Sequence, residues 1–113
     1  MHLEVLCWNV RGLNQRARRD MVRETISTTL CHIACLQETK LSEIDQFMVA
    51  YLGGHRLDDY IFKLAGGLSG TRGGILLMWN TNHVKLTNLV IGEFHITAMG
   101  QMLSTLFVVT ASN

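Results

Sequence analysis

The sequence predicts a mixed α/β (α+β) domain, with a strand–helix–strand unit in its first half and consecutive antiparallel strands in its second. Three observations predict this. Two short apolar runs, Leu3–Trp8 and Ile33–Gln37, flank a stretch whose apolar residues fall at helical spacing. After Gly74 the β-leaning runs follow one another with only brief polar or glycine breaks. The last charged residue is Glu93, so Phe94 to Asn113 holds no Asp, Glu, Lys or Arg, the composition of buried strand. A length of 113 residues suffices for one domain with its own core. Apolar residues at 48% against 17% charged argue against a disordered chain.

Leu3 to Trp8 carries apolar residues on both faces, with Glu4 its one charge, as in a sheet covered on both sides. Asn9 to Gln15, with Gly12, reads as a turn. From Arg16 to Leu30 the stripe is Met21, Val22, Ile26 and Leu30, with Arg16, Arg18, Arg19, Asp20, Arg23 and Glu24 off it. Ile33 to Gln37 follows as a strand, so the three elements form a crossover that sets two parallel strands side by side. Ile44, Phe47, Met48 and Tyr51 keep i, i+3, i+4, i+7 spacing and predict a short helix with those four residues inward, stopped by Gly53-Gly54. Strands are expected at Tyr60–Leu64, Ile75–Trp79, His83–Ile91, Phe94–Met99 and Leu103–Thr110. Gly66 to Gly74 forms a glycine-rich loop, and the strands after it read as a meander.

Ten Lys+Arg against nine Asp+Glu leave a formal net charge of +1, so bulk charge names no polyanionic partner. The N-terminus lacks the basic-then-apolar pattern of a signal peptide, and no apolar run, Ile75–Trp79 included, approaches the ~20 residues of a membrane-spanning helix. Three cysteines, Cys7, Cys31 and Cys35, then read as reduced thiols, and the expected location is intracellular, nucleus or cytoplasm, with no membrane partner. Cys31 and Cys35 are four residues apart and no second pair follows, which favours small buried side chains over zinc ligands.

Four features of the sequence could carry chemistry. The loop at residues 66–74 fits neither the G-x-x-x-x-G-K-[ST] nor the G-x-G-x-x-G pattern, leaving Arg72 as its one candidate phosphate contact against the alternative of an idle loop arginine. Asn9 closes the first strand and Glu38 follows the second. On parallel neighbours both would stand at the carboxyl ends, where α/β sheets place ligands. An amide oxygen beside a carboxylate suits a hard cation, although a turn-forming Asn and a surface Glu explain the same residues. Arg11, Arg16, Arg18, Arg19 and Arg23, half of all Lys+Arg, crowd into 13 positions, as a phosphodiester-binding face or as a solvated helix face. Trp8 and Trp79 read as core anchors, and the five histidines show no H-E-x-x-H spacing.

Three ordered blocks then carry a resemblance: Cys7 to Asn14 (C-W-N-V-R-G-L-N), Cys35 to Lys40 (C-L-Q-E-T-K) and Gly70 to Asn80 (G-T-R-G-G-I-L-L-M-W-N). Together they resemble the endonuclease/exonuclease/phosphatase (DNase I-like) superfamily, and most of all the endonuclease domain of plant LINE-type (non-LTR) retrotransposons. The resemblance implies a four-layer β-sandwich flanked by helices and a DNA phosphodiesterase dependent on Mg2+ or Mn2+. It implies that Glu38 is the metal-binding carboxylate. Asn9 would orient the phosphate and nearby acidic groups, and Arg18 and Arg19 match a basic pair that contacts the DNA backbone in apurinic endonucleases. Those enzymes have Asp where this chain has Arg11, which favours the retrotransposon type over abasic-site repair.

The family's later Tyr, its Asp/Asn pair and its final Asp-His base match nothing in residues 1–113. The resemblance therefore implies a partial domain, 1–113, truncated at its C-terminus and inactive alone, with an incomplete metal site and an uncovered apolar sheet surface prone to association. The competing expectation is a non-catalytic remnant that binds nucleic acid or protein weakly.

Overall fold

The computed structural model describes residues 3–64, 73–91 and 95–112. Nine elements run along the chain: β1 (Val5–Asn9), α1 (Arg16–Thr29), β2 (Ile33–Gln37), α2 (Gln46–Gly53), β3 (Asp59–Lys63), β4 (Ile75–Trp79), β5 (Lys85–Ile91), β6 (His95–Met102) and β7 (Thr105–Ser112). They build two sheets, one ordered β1-β2-β4-β3 and one ordered β5-β6-β7. The expected crossover is present, with β1 and β2 parallel in the register Val5↔Ile33 to Asn9↔Gln37. The second-half strands divide differently from a simple meander. β4 joins the first sheet, antiparallel to both β2 and β3, and the three later strands form the second sheet.

Alternation along the central strands explains the layering, because successive side chains point to opposite faces. Ala34 and Leu36 of β2, with Leu76 and Met78 of β4, pack against Val22 and Ile26 of α1 and Val49 and Leu52 of α2. Ile33, Cys35, Ile75, Leu77 and Trp79 face the other way, onto Ile96, Val109 and Ala111 of the second sheet. β4 is buried along its whole length, so its five apolar residues in a row read as a central strand. Helices, first sheet and second sheet thus form three of the four expected layers. Among the described residues no helix covers the outer face of the second sheet, and none is long and apolar enough to cross a membrane.

Two inward stripes expected from the sequence need correction. In α1, Val22 and Ile26 are buried, each burial worth about 1.5–3 kcal/mol, whereas Met21 and Leu30 lie exposed at its edges. In α2 the buried face is rotated: Val49, Leu52 and Gly53 are buried, Ile44 and Met48 are half-buried against the same core, and Phe47 is 87% exposed. Gly53 sets that rotation. A Cβ there would stand 2.9 Å from the Leu57 Cβ and 3.4 Å from the Met78 sulfur, so the helix approaches its neighbours through its smallest side. Strand β6 also continues through Gly100 and Gln101, where a turn was expected, and turns instead at Leu103-Ser104. Asn88 adopts φ 52° at a bulge in β5, where the register against β6 shifts.

Candidate active site

The parallel pairing of β1 and β2 brings the ends of two loops together. Hydrogen bonding continues past the strands: Val10 N–H donates to the Gln37 carbonyl at 3.0 Å, Gly12 to Glu38 at 2.8 Å and Leu13 to Thr39 at 2.8 Å. The segment before β4 closes the other side, its Gly73 and Gly74 carbonyls accepting from Lys40 at 2.6 Å and Thr39 at 3.1 Å. Asn14 Nδ2 adds a bond to the Lys40 carbonyl at 3.1 Å. Within this frame Arg11, Glu38 and Lys40 hold left-handed φ values of 54°, 54° and 57°. Each such backbone costs a non-glycine residue on the order of 1 kcal/mol and persists where surrounding bonds over-determine it.

This geometry joins the two residues singled out at the strand ends. Asn9 Nδ2 donates to Glu38 Oε2, and the Arg11 backbone N–H donates to Asn9 Oδ1 at 3.2 Å. Both polar ends of the Asn9 amide are therefore engaged. It acts as a strut that holds one oxygen of the half-buried Glu38 carboxylate. Its Oδ1 is directed at the chain's own backbone, so the donor set centres on one carboxylate. That suits a hard cation that keeps several waters and takes one or two carboxylates. Among the described residues no group of three or more His, Cys, Asp or Glu converges as a metal cage. The Glu38 carboxylate offers the kind of oxygen donor that such a cation takes.

Arg18 and Arg19 part company. Consecutive helical residues point about 100° apart, and here they line different grooves. Arg18 joins Arg11, Gly12, Asn14, Gln15 and Lys40 around a hollow of about 330 Å3 beside the strand ends. Arg19 joins Arg16, Asp45, Phe47, Met48 and Tyr51 around one of about 490 Å3 between the helices. Arg72 lies outside the described residues. Sequence reasoning missed Lys40 as a groove residue. The signal was available, since Lys40 follows Glu38 by two and faces the basic loop across the same pairing.

Cys7 and Cys35 are register partners on the face of the sheet that also carries Asn9. Cys7 is exposed, because the second sheet covers β2 and β4 but leaves the β1 edge open, while Cys35 and Cys31 are buried. Burial, reinforced by the neighbouring Cys7 thiol and its hydrogen bond, holds the Cys35 thiol strongly in its neutral form. Burial likewise raises Cys31. Cys31 and Cys35 are small buried core side chains, and Cys7 is an edge group.

A two-sheet α/β sandwich with a carboxylate–amide pair at the carboxyl ends of its parallel strands is the class these elements define. The chain belongs to the endonuclease/exonuclease/phosphatase family, whose model matches residues 6–107. No curated protein matches it by sequence. Among solved structures it is similar to the human Nocturnin catalytic domain with bound sulfate, at TM-score 0.73 and 19% identity over 96% of this chain and 48% of that one. It is also similar to an AP endonuclease from Archaeoglobus fulgidus, at TM-score 0.60 and 17% identity over 95% of this chain and 40% of the other. The AP endonuclease LMAP from Leishmania major matches at TM-score 0.60 and 22% identity, over 98% of this chain and 40% of that one. The chain thus spans about half the length or less of these structures.

Proposed function

We propose that this chain contributes the N-terminal part of a metal-dependent DNA phosphodiesterase of the endonuclease kind, with Glu38 as the metal-binding carboxylate. The observation that carries the reading is the Asn9–Glu38 hydrogen bond at the carboxyl ends of adjacent parallel strands. Family membership and AP endonucleases among the similar structures support a nuclease-type hydrolase acting on nucleic acid. The W-N-V-R-G-L-N wording around Asn9, with Arg11 in place of an acidic residue, supports the LINE-type retrotransposon subfamily.

In this role a bound Mg2+ or Mn2+ would polarise a phosphoryl oxygen and neutralise charge on the leaving oxygen. The chain's own residues do the positioning. Asn9 fixes one Glu38 oxygen, and the Arg11 N–H fixes Asn9 in turn. Arg18, with Arg11 and Lys40 around the same hollow, offers cations to the phosphodiester backbone. Arg19, with Arg72 as a further phosphate contact, completes the proposed substrate set. Asn9 and Glu38 do not by themselves supply a general base, and in this reading the chain on its own binds DNA without cutting it.

Incubation with supercoiled plasmid and Mg2+, alongside a salt titration of binding to labelled DNA, tests this reading. Salt-sensitive binding that weakens in Arg18→Ala/Arg19→Ala, without nicking, is the expected result. Nicking abolished by Glu38→Ala would overturn the claim that the chain is inactive alone. Failure to bind DNA in low salt would sink the reading as a whole.

A further inference from the structure

Phe47 is the most exposed large apolar side chain on the helical layer, although it sits in a helix with a well-formed core face. It stands in the groove between α1 and α2, beside Met48 and Tyr51 and opposite Arg16 and Arg19. Arg23 lies over the Tyr51 ring, 4.7 Å from its centre. The carboxylates near this groove are engaged. Asp45 caps α2 by accepting from the Met48 N–H at 2.8 Å. Asp20 accepts from the Tyr51 hydroxyl and pairs with Arg16 at 3.9 Å. An exposed aromatic face flanked by arginines is the combination with which proteins hold unpaired bases: the ring stacks on a base and the cations follow the backbone.

The position of the groove relative to the strand-end site gives this combination a direction. The first turn of α1 carries Arg18 on the side of the Arg11–Lys40 hollow and Arg19 on the side of Phe47. One helical turn therefore bridges the two grooves. We infer that the α1–α2 groove is a stacking site for an unpaired nucleotide flanking the DNA bound at Asn9 and Glu38, with Phe47 as its platform and Arg16 and Arg19 as its backbone clamps. The inference rests on the proposed DNA-binding function and adds to it a preference for substrates with a single-stranded flank.

Fluorescence anisotropy with a labelled oligothymidine, a blunt duplex and the same duplex bearing a single-stranded overhang tests it on the intact chain. Phe47→Ala is expected to weaken binding of the oligothymidine and the overhang duplex about tenfold, and to leave the blunt duplex unchanged. Phe47→Trp should restore both, and because Phe47 packs against solvent the variants keep the parent circular dichroism. Equal affinity of Phe47→Ala and parent for all three probes overturns the stacking site while the wider DNA-binding reading stands. That is the outcome expected if a protein segment occupies the groove instead. An Arg18→Ala loss on the blunt duplex without any Phe47 effect has the same meaning. If no probe binds, both proposals fall together.

Discussion

The Thr39 hydroxyl occupies the space a side chain on Gly74 would need. A Cβ at Gly74 would lie 2.5 Å from Thr39 Oγ1, and Gly74 holds φ +101°. Thr39 is fully buried, and its backbone N–H donates to the Gly74 carbonyl at 3.1 Å. The contact ties the segment entering β4 to the loop that presents Glu38. Gly74→Ala therefore meets two penalties, a left-handed backbone and a steric overlap, and is expected to destabilise the fold by about 2 kcal/mol or more in urea unfolding. Pairing it with Thr39→Ser, which keeps the hydroxyl, should recover little. Thr39→Ala should recover part of the loss, because it removes the overlapping atom.

Asn9→Ala removes the strut on Glu38 while leaving the carboxylate in place. Residues that orient a ligand typically contribute ten- to a hundredfold to metal affinity. Mn2+ binding followed by electron paramagnetic resonance should weaken about tenfold in Asn9→Ala and be lost in Glu38→Ala. Asn9 is exposed, so Asn9→Ala should unfold within about 1 kcal/mol of the parent. Unchanged Mn2+ affinity in Asn9→Ala would show that the hydrogen bond does not position the ligand.

That Asn9 and Glu38 would lie side by side was legible in the sequence, for a physical reason. Asn9 and Glu38 sit at the ends of the two strands of a crossover, and parallel register leaves no freedom in where such residues emerge. The helix faces were less legible. With eight residues, α2 makes barely two turns, so Ile44-Phe47-Met48-Tyr51 and Val49-Leu52 both satisfy helical spacing. Gly53 decided between them through close approach, and a hydropathy pattern carries no sign of that. The division of the later strands into two sheets was hidden for a related reason. β4 pairs with β2, more than thirty residues earlier, and no local signal specifies a partner at that distance.

Asp58 accepts two hydrogen bonds from Thr81, from its N–H at 2.9 Å and its hydroxyl at 2.6 Å. These bonds hold its carboxyl below the usual Asp range. A folded-state value lowered in this way contributes stability that is fully present above the ordinary pKa of about 4 and is lost as pH falls through the lower folded value. Asp58→Asn should thus cost stability at pH 7, by less than about 1 kcal/mol because the group is exposed, and the difference from the parent should vanish near pH 2. Urea midpoints at the two pH values check both the size and the sign.

The three thiols should differ sharply in reactivity, because the thiolate is the attacking species and burial suppresses it. Cys35 and Cys31 are buried with raised pKa values, whereas Cys7 is exposed at the open edge of β1. Brief iodoacetamide treatment of the folded chain is expected to add one group, at Cys7, and treatment in denaturant to add three. Peptide mass mapping reads this directly. Early labelling of Cys35 would mean that the β1–β2 edge opens more readily than its register bonds suggest.

Strand β7 combines two properties that soluble proteins usually separate. Its one pairing among the described residues is with β6, and its outward face presents Leu106 at 70% and Val108 at 64% exposure without a single charge. Flanking Leu103, also 70% exposed, extends the patch. Natural edge strands are commonly protected by a Lys, a Pro or a covering helix, and an unprotected apolar edge recruits another strand. The isolated chain should therefore self-associate with rising concentration, by light scattering on a sizing column. Val108→Lys places a charge on that face without touching the inward residues Val109 and Ala111. It should shift the chain toward monomer while changing unfolding stability by under about 0.5 kcal/mol. A variant that associates as strongly as the parent would place the contact elsewhere, with the open β1 edge at Val5 and Cys7 the next surface to charge.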